Sequence, residues 1–229
     1  MSKFEFSELL HQLKISFKDM GLLKEAFYHR SYLNEVNLNI QSNERLEFLG
    51  DSVLSLVVSF HLFSSRRGDN EGELTNLRAY IVKTESLAKS AKNLKLGSYL
   101  SLSKGEELGG GRENSQLLAN TYEALLGAIY LDQGFKIVKK VVEETLLSIF
   151  ASELKSGPPK DAKSTLQEIV QEKFKMSPKY KILQTKGPDH AKKFLVAVYI
   201  KGKEYGKGIG GSKQVAEEQA ATKALEGLT

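Results

Sequence analysis

Residues 43–58 constrain the fold most, because they combine a long apolar run with three acids. Their sequence is NERLEFLGDSVLSLVV, and Glu44, Glu47 and Asp51 lie among apolar side chains. Apolar residues at spacings of three and four predict a helix with a buried face. On a helix that advances about 100° per residue, Glu47 lies about 60° from Glu44 and Asp51 about 20° from it. The three carboxylates therefore share one stripe of a largely buried helix.

This acidic stripe needs a positive partner, because like charges repel and an unpaired buried carboxylate is costly or becomes protonated. Lys or Arg from a neighbouring helix is one candidate, and a divalent cation is the other. Asn120 and Glu123 lie three residues apart in the apolar segment LLANTYEALLGAIYLD, residues 117–132. Oxygen ligands on two facing helices resemble the carboxylate metal sites of helix bundles, and Mg²⁺ prefers oxygen ligands. The second cluster adds weight to the cation, and neither cluster alone decides between the two partners.

Composition narrows the classes of protein and site. The 229 residues include no Cys and four His, which excludes disulfides and thiolate zinc sites and leaves oxygen ligands for a metal. No run approaches about eighteen uninterrupted apolar residues, the length expected of a membrane span. The first residues alternate apolar with charged side chains, so we expect no signal peptide. The sequence predicts a cytoplasmic protein without a membrane segment.

Charge and periodicity both change near the segment ASELKSGPPKDAK. Residues 160–229 contain 14 Lys and 8 Asp or Glu, a net charge of +6, whereas residues 1–159 carry 19 basic and 20 acidic residues, a net charge of −1. Apolar spacing is helical before this segment. After it, a helix, three alternating strands and an Ala-rich helix with Ser212 as its N-cap are expected. We predict a mainly α domain (1–152), a linker (153–160) and an α+β domain of order α-β-β-β-α (161–229).

Three glycines near the C-terminus fit the G-x-G-x-x-G pattern of dinucleotide-binding turns: Gly206, Gly208 and Gly211. Only 18 residues follow Gly211, too few for the rest of a dinucleotide-binding unit. We therefore interpret the pattern as a strand end and helix entry. No nucleotide cofactor is predicted.

Several segments together resemble the ribonuclease III family. NERLEFLGDSVL is similar to the family signature, and EGELTNLRAYIV, LSKGEELGGGREN and ANTYEALLGAIYLD follow in the family's order. STLQEIVQEKF, GPDHAKKF and GSKQVAEEQAATKAL resemble its double-stranded-RNA-binding domain. The resemblance covers essentially the whole chain. It implies an all-helical catalytic domain followed by an RNA-binding domain.

The resemblance also implies roles for individual residues of the first domain. Glu47, Asp51, Asn120 and Glu123 would bind Mg²⁺, for which Mn²⁺ could substitute, and Asp51 and Glu123 would be catalytic. Glu44 and Glu71 would be further acids of the cleft. Phe48 matches an aromatic residue that packs into a partner subunit of a homodimer, and core packing is its other reading.

In the second domain, the resemblance implies a surface that binds double-stranded RNA and recognises it by shape. Gln167 and Gln171 would face one minor groove, and Pro188 and His190 would enter the next. Lys213 would meet phosphates at the start of the last helix. Gln214 stands where family members often have a second basic residue, which predicts a modest loss of affinity. A solvated helix face and an ordinary turn are the other readings of the Gln pair and of His190.

The family pattern predicts an endoribonuclease that hydrolyses double-stranded RNA to 5′-phosphate and 3′-hydroxyl ends. Ribosomal precursor RNA and structured messenger RNA are the implied substrates. Asn120 departs from the family's usual Asp, which predicts weaker metal binding because one negative charge is lost. A non-cleaving RNA-binding regulator is the alternative that this substitution suggests. A metal-binding scaffold protein would leave the basic second domain unexplained.

Overall fold

The computed structural model describes residues 6–36, 40–157, 161–188 and 192–228. The chain forms two compact units, Met1–Pro158 and Pro159–Thr229. The predicted domain limits of 152 and 161 remain predictions, and the first residues assigned to the linker, 153–156, are helical. Residues 158–160 of that linker lie outside the described residues.

The first unit is helical, as predicted, and its described residues form no strand beyond an isolated bridge between Tyr28 and Ser101. Its helices α1 to α10 are Ser7–Leu13, Met20–Glu25, Arg30–Leu33, Glu44–Ser65, Glu71–Ile81, Thr84–Asn93, Lys104–Leu108, Ser115–Gln133, Phe135–Thr145 and Ala151–Ser156. Short 3₁₀ turns cover Leu96–Tyr99, Gly111–Glu113 and Leu147–Phe150.

Helix α8 runs through the core of the first unit and packs against α4, α6 and α9. Its buried side chains are apolar on nearly every face, which is expected of a helix with neighbours on all sides. Asn114 caps its start by accepting hydrogen bonds from the backbone N–H groups of Gln116 and Leu117. Helix α4 alone among the described helices is long and apolar enough to cross a membrane. One such helix is weak evidence, since core helices of globular domains share these properties.

The second unit has the predicted α-β-β-β-α order. It consists of α11 (Ala162–Phe174), β1 (Lys179–Lys186), β2 (Lys193–Ile200), β3 (Lys203–Gly210) and α12 (Lys213–Glu226). The strands form an antiparallel sheet in sequence order, and both helices contribute to the core beneath it. Ser212 is the N-cap of α12, as predicted, and its side chain accepts a hydrogen bond from the backbone N–H of Val215.

Candidate active site

Two glycines allow the backbones of α4 and α8 to approach very closely. A Cβ atom added at Gly50 would lie 1.8 Å from the carbonyl oxygen of Glu123, and one added at Gly127 would lie 2.3 Å from the carbonyl oxygen of Leu46. Gly50 immediately precedes Asp51 and lies three residues after Glu47. The close approach therefore brings acids of α4 beside Glu123 of α8.

The carboxylates interact across this contact. Burial raises the pKa of Glu123 to about 7, and the charges of Asp51 and Glu47 add to the shift. Burial also raises the pKa of Glu47, with contributions from Glu44 and Asp51, whereas a hydrogen bond from Asn120 opposes the rise. The site therefore has an excess of negative charge.

Basic side chains do not neutralise Glu47, Asp51 and Glu123, the acids at the α4–α8 contact. Arg30 lies 3.9 Å from Glu44 at the exposed edge. Within the described ranges, Glu47, Asp51 and Glu123 form no ion pair with Lys or Arg, and the charges that mainly shift the pKa values of Glu47 and Glu123 are those of other carboxylates. The Lys or Arg partner considered from the sequence is absent there, which leaves a cation from solution as the candidate.

The donor atoms suit a divalent cation, since carboxylate and amide oxygens are the ligands that Mg²⁺ prefers. In the part of the chain that the structure describes, however, no three His, Cys, Asp or Glu side chains form a tight metal-binding group. Asp51 is exposed, and Glu123 and Asn120 are only partly buried. Side-chain rotation, water or the Asn120 oxygen would have to complete the coordination.

Asn120 pairs with a neighbouring amide beside the acids. Nε2 of Gln116 donates to Oδ1 of Asn120 over 2.7 Å. The Asn120 side chain also lies close enough to Glu47 to lower the pKa of that carboxyl. Gln116 was not among the residues singled out from the sequence. Its spacing of four residues before Asn120, which places both on one helix face, is the signal that could have found it.

A cleft of about 380 Å³ opens beside Glu47 and Asn120. Arg30 and His29 belong to its lining, together with Asn43, Glu44, Gln116 and Leu117. Nδ1 of His29 lies 2.8 Å from the Ser31 hydroxyl oxygen, which accepts a hydrogen bond from the backbone N–H of Ser103. The guanidinium of Arg30 therefore lies among the side chains that border the acids, and it was not predicted from the sequence.

Glu71 starts α5, where its carboxylate accepts a hydrogen bond from Thr75 of the same helix over 3.0 Å. It does not line the cleft beside Glu47. Its role as a cleft acid remains a prediction.

Phe48 lies on the outer face of α4, where 79% of its surface is exposed. This excludes core packing within the single chain. Leu56, Phe60 and Phe63 on the same helix are also exposed. They follow Phe48 at intervals of eight, four and three residues, which places them on one helix face. The outer stripe of α4, defined by these four residues, is a large apolar surface.

The second unit exposes most of the side chains predicted to touch RNA. Gln167 and Gln171 lie one turn apart on α11 and line one shallow groove. Pro188 and Lys213 are exposed, the latter as the first residue of α12. His190 lies outside the described residues.

Comparison with known proteins finds two families that match successive parts of the chain. Residues 19–150 match a family described as ribonuclease-III-like, and residues 162–228 match the double-stranded RNA binding motif. The chain is 46% identical over 226 residues to ribonuclease 3 of Treponema denticola, covering 99% of this chain and 92% of that protein. It is 43% identical over 229 residues to ribonuclease 3 of Clostridium tetani, covering 100% and 97% of the two chains.

A solved structure resembles the first unit. It is the nuclease domain of ribonuclease III from Campylobacter jejuni, described as having a flexible region involved in dimer formation. The TM-score is 0.60 at 40% identity, and the match covers 64% of this chain and 99% of that domain.

Proposed function

The chain belongs to the ribonuclease III family, and on that premise we propose that the acids at the α4–α8 contact are its hydrolytic centre. It is an endoribonuclease of double-stranded RNA. The observation that carries the proposed centre is the unneutralised charge at the contact, where the pKa of Glu123 reaches about 7. A cluster of acids without a Lys or Arg partner is a suitable binding site for a divalent cation.

The family implies a divalent metal, and we propose Mg²⁺, with Mn²⁺ as a substitute. Asp51 and Glu123 would hold it next to the reacting phosphate, and Glu47 and Asn120 would complete the site. When bound, the metal supplies positive charge for the attacking and leaving oxygens. Water adds to phosphorus and the 3′ oxygen leaves with a proton, giving 5′-phosphate and 3′-hydroxyl ends.

The second unit would hold the duplex. Helical RNA shows its 2′-hydroxyls in a wide minor groove and its phosphates along the backbone, so recognition is mainly by shape. Gln167 and Gln171 offer exposed amides four residues apart for one minor groove. Lys213 offers a positive charge at a helix N-terminus, where phosphate is favoured. Pro188 and His190 are proposed for the next groove.

We propose a homodimer that buries the outer stripe of α4. Four large apolar side chains on one exposed helix face are costly in water, and a second copy would cover them. The Campylobacter jejuni neighbour is itself described in terms of dimer formation. Each subunit would cut one strand, leaving short 3′ overhangs. Phe48, the most exposed of the four, is the proposed anchor.

We propose ribosomal precursor RNA and structured messenger RNA as the substrates, because the family resemblance suggests them. A cytoplasmic location without membrane or nucleotide cofactor fits a chain whose apolar α4 contributes to a domain core.

A non-cleaving regulator of double-stranded RNA is the second candidate. It is favoured by Asn120, whose side chain donates to Glu47 in place of adding a negative charge. Such a protein would bind the duplex but leave it intact.

Cleavage of an end-labelled RNA duplex separates the two candidates. Mg²⁺ is titrated against an EDTA blank for the unmodified protein, Glu123→Gln and Asn120→Asp. We expect metal-dependent double-strand cuts that Glu123→Gln abolishes and that Asn120→Asp produces at lower Mg²⁺. Binding without cleavage by the unmodified protein, together with cleavage by Asn120→Asp, would instead support the regulator.

A further inference from the structure

A hydrogen bond from Gln116 determines which end of the Asn120 amide faces the acids. Nε2 of Gln116 donates to Oδ1 of Asn120 over 2.7 Å, and Glu47 lines the same cleft, so Nδ2 is the end of the amide left to face Glu47. Asn120 lowers the pKa of Glu47, which agrees with a donor directed at that carboxylate. The oxygen of the side chain is therefore directed at Gln116.

This orientation is the reverse of what a metal ligand requires. Divalent cations of this type bind oxygen, whereas an amide NH₂ group only donates hydrogen bonds. Rotation of the Asn120 amide by about 180° would turn Oδ1 toward Glu47 and Nδ2 toward Gln116. Gln116 keeps a hydrogen bond in that state only if its own amide also turns, so that Oε1 accepts.

Gln116 is well placed to control this rotation. It lies one helical turn before Asn120, at a spacing where Gln and Asn side chains interact. Its backbone N–H donates to Oδ1 of Asn114 over 2.9 Å, which fixes the backbone from which the side chain extends. It also lines the cleft that contains Glu47 and Asn120.

We propose that Gln116 is a positioning residue that selects which end of the Asn120 amide faces Glu47, so that metal uptake requires two paired amides to turn. This role rests on the proposed function, because it takes the acid cluster as the metal site. Asn120 is a donor to Glu47 without metal and an oxygen ligand with it. An aspartate at this position would need no such turn, since its two oxygens are equivalent.

Calorimetric titration of the full-length protein with Mn²⁺ or Mg²⁺, without RNA, tests this role. The informative variant is Gln116→Glu, because a carboxylate accepts hydrogen bonds but cannot donate them. It would pair with Nδ2 of Asn120 and leave Oδ1 facing Glu47. We expect metal affinity to rise about threefold to tenfold.

Two controls separate orientation from added charge. Ser115→Glu places the same charge on the neighbouring exposed residue, off the face that reaches Asn120, and should give a smaller gain. Gln116→Glu in an Asn120→Asp background should also give a smaller gain, because no amide remains to turn. Thermal unfolding in EDTA should show that both exposed positions tolerate the change.

Equal gains from Gln116→Glu in both backgrounds would assign the effect to charge and overturn the positioning role. Glu47→Gln distinguishes that failure from failure of the proposed function. If Glu47→Gln weakens metal binding while the two gains are equal, only the role of Gln116 is lost. If Glu47→Gln leaves the titration unchanged, the acid cluster is not the metal site and both proposals fall.

Discussion

Both units use glycine to bring two elements into close contact, but the residues beside the contacts differ. In the first unit, Gly50 and Gly127 bring α4 and α8 together beside Glu47, Asp51 and Glu123. In the second unit, an added Cβ at Gly208 of β3 would lie 2.2 Å from the carbonyl oxygen of Ala216 in α12. Small apolar side chains line that helix face. The same packing device thus supports a charged site in one unit and a scaffold in the other.

The largest expected effects come from filling these contacts. Gly50→Ala should destabilise the first unit by about 3 kcal/mol and abolish cleavage, because a backbone atom blocks the added methyl group. Gly208→Ala should similarly destabilise the second unit and weaken RNA binding. Guanidinium unfolding, combined with cleavage and binding assays, measures both. Cleavage should be the activity lost first in Gly50→Ala.

Gly105→Ala is the matched control, since it lies on α7 and an added Cβ meets nothing within 4 Å. It should stabilise the protein by about 0.5 kcal/mol. If Gly50→Ala behaved like Gly105→Ala, the α4–α8 contact would not be as close as described.

A smaller effect is expected from the ionisation of Glu123 in the first unit. The pKa of Glu123 rises from 4.5 to about 7 on folding. The folded state therefore binds the Glu123 proton more tightly than the unfolded state does. The contribution of this proton to the free energy of unfolding is fully present below pH 4.5 and is lost as the pH rises through 7. In EDTA at pH 8, Glu123→Gln should be more stable than the unmodified protein by about 1–3 kcal/mol.

Denaturant unfolding between pH 4 and 8 measures this difference, which should vanish at the acidic end. Glu85→Gln, at an exposed acid of α6, should change stability by less than about 0.5 kcal/mol at every pH. The same pH dependence for Glu123→Gln and the unmodified protein would remove the evidence for a strained acid cluster.

The smallest effects are expected in the second unit, where single exposed side chains meet RNA. Lys213→Ala should weaken duplex binding a few-fold and reduce the slope of log affinity against log salt by about 1, because one phosphate contact is lost. Gln167→Ala should weaken binding without changing that slope. Titrations at several salt concentrations distinguish the two. An unchanged slope for Lys213→Ala would contradict its contact with phosphate.

The acids were predictable because helical spacing alone places Glu44, Glu47 and Asp51 on one stripe. Their distance from Glu123 was not predictable, because it depends on how Gly50 and Gly127 pair across two helices that are far apart in sequence. Gln116 was missed although its spacing places it beside Asn120, because the sequence does not show that the two amides form a hydrogen bond. Similarly, the order of strands in the second unit followed from alternation, which is local information.

The packing role of the C-terminal glycines was only partly predictable. Gly206 and Gly208 were predicted to belong to the end of a strand, and they lie in β3 as expected, but their close contact with the backbone of α12 was not predicted. A sequence pattern shows that glycine is present but not which backbone approaches it. Phe48 illustrates the same limit, because apolar character alone does not distinguish a core residue from an exposed stripe.

The central claim is that the first unit cleaves double-stranded RNA and the second unit binds it. Its most direct test is single-turnover cleavage of an RNA duplex with protein titrated at fixed Mg²⁺. Glu123→Gln should lower the maximal rate by at least about a thousandfold, while duplex binding in EDTA is unchanged. The double variant Gln167→Ala/Lys213→Ala should raise the half-saturating protein concentration and leave the maximal rate within about twofold of the original. Cleavage by Glu123→Gln at the original maximal rate, or an equally large fall in maximal rate for the double variant, would contradict this account.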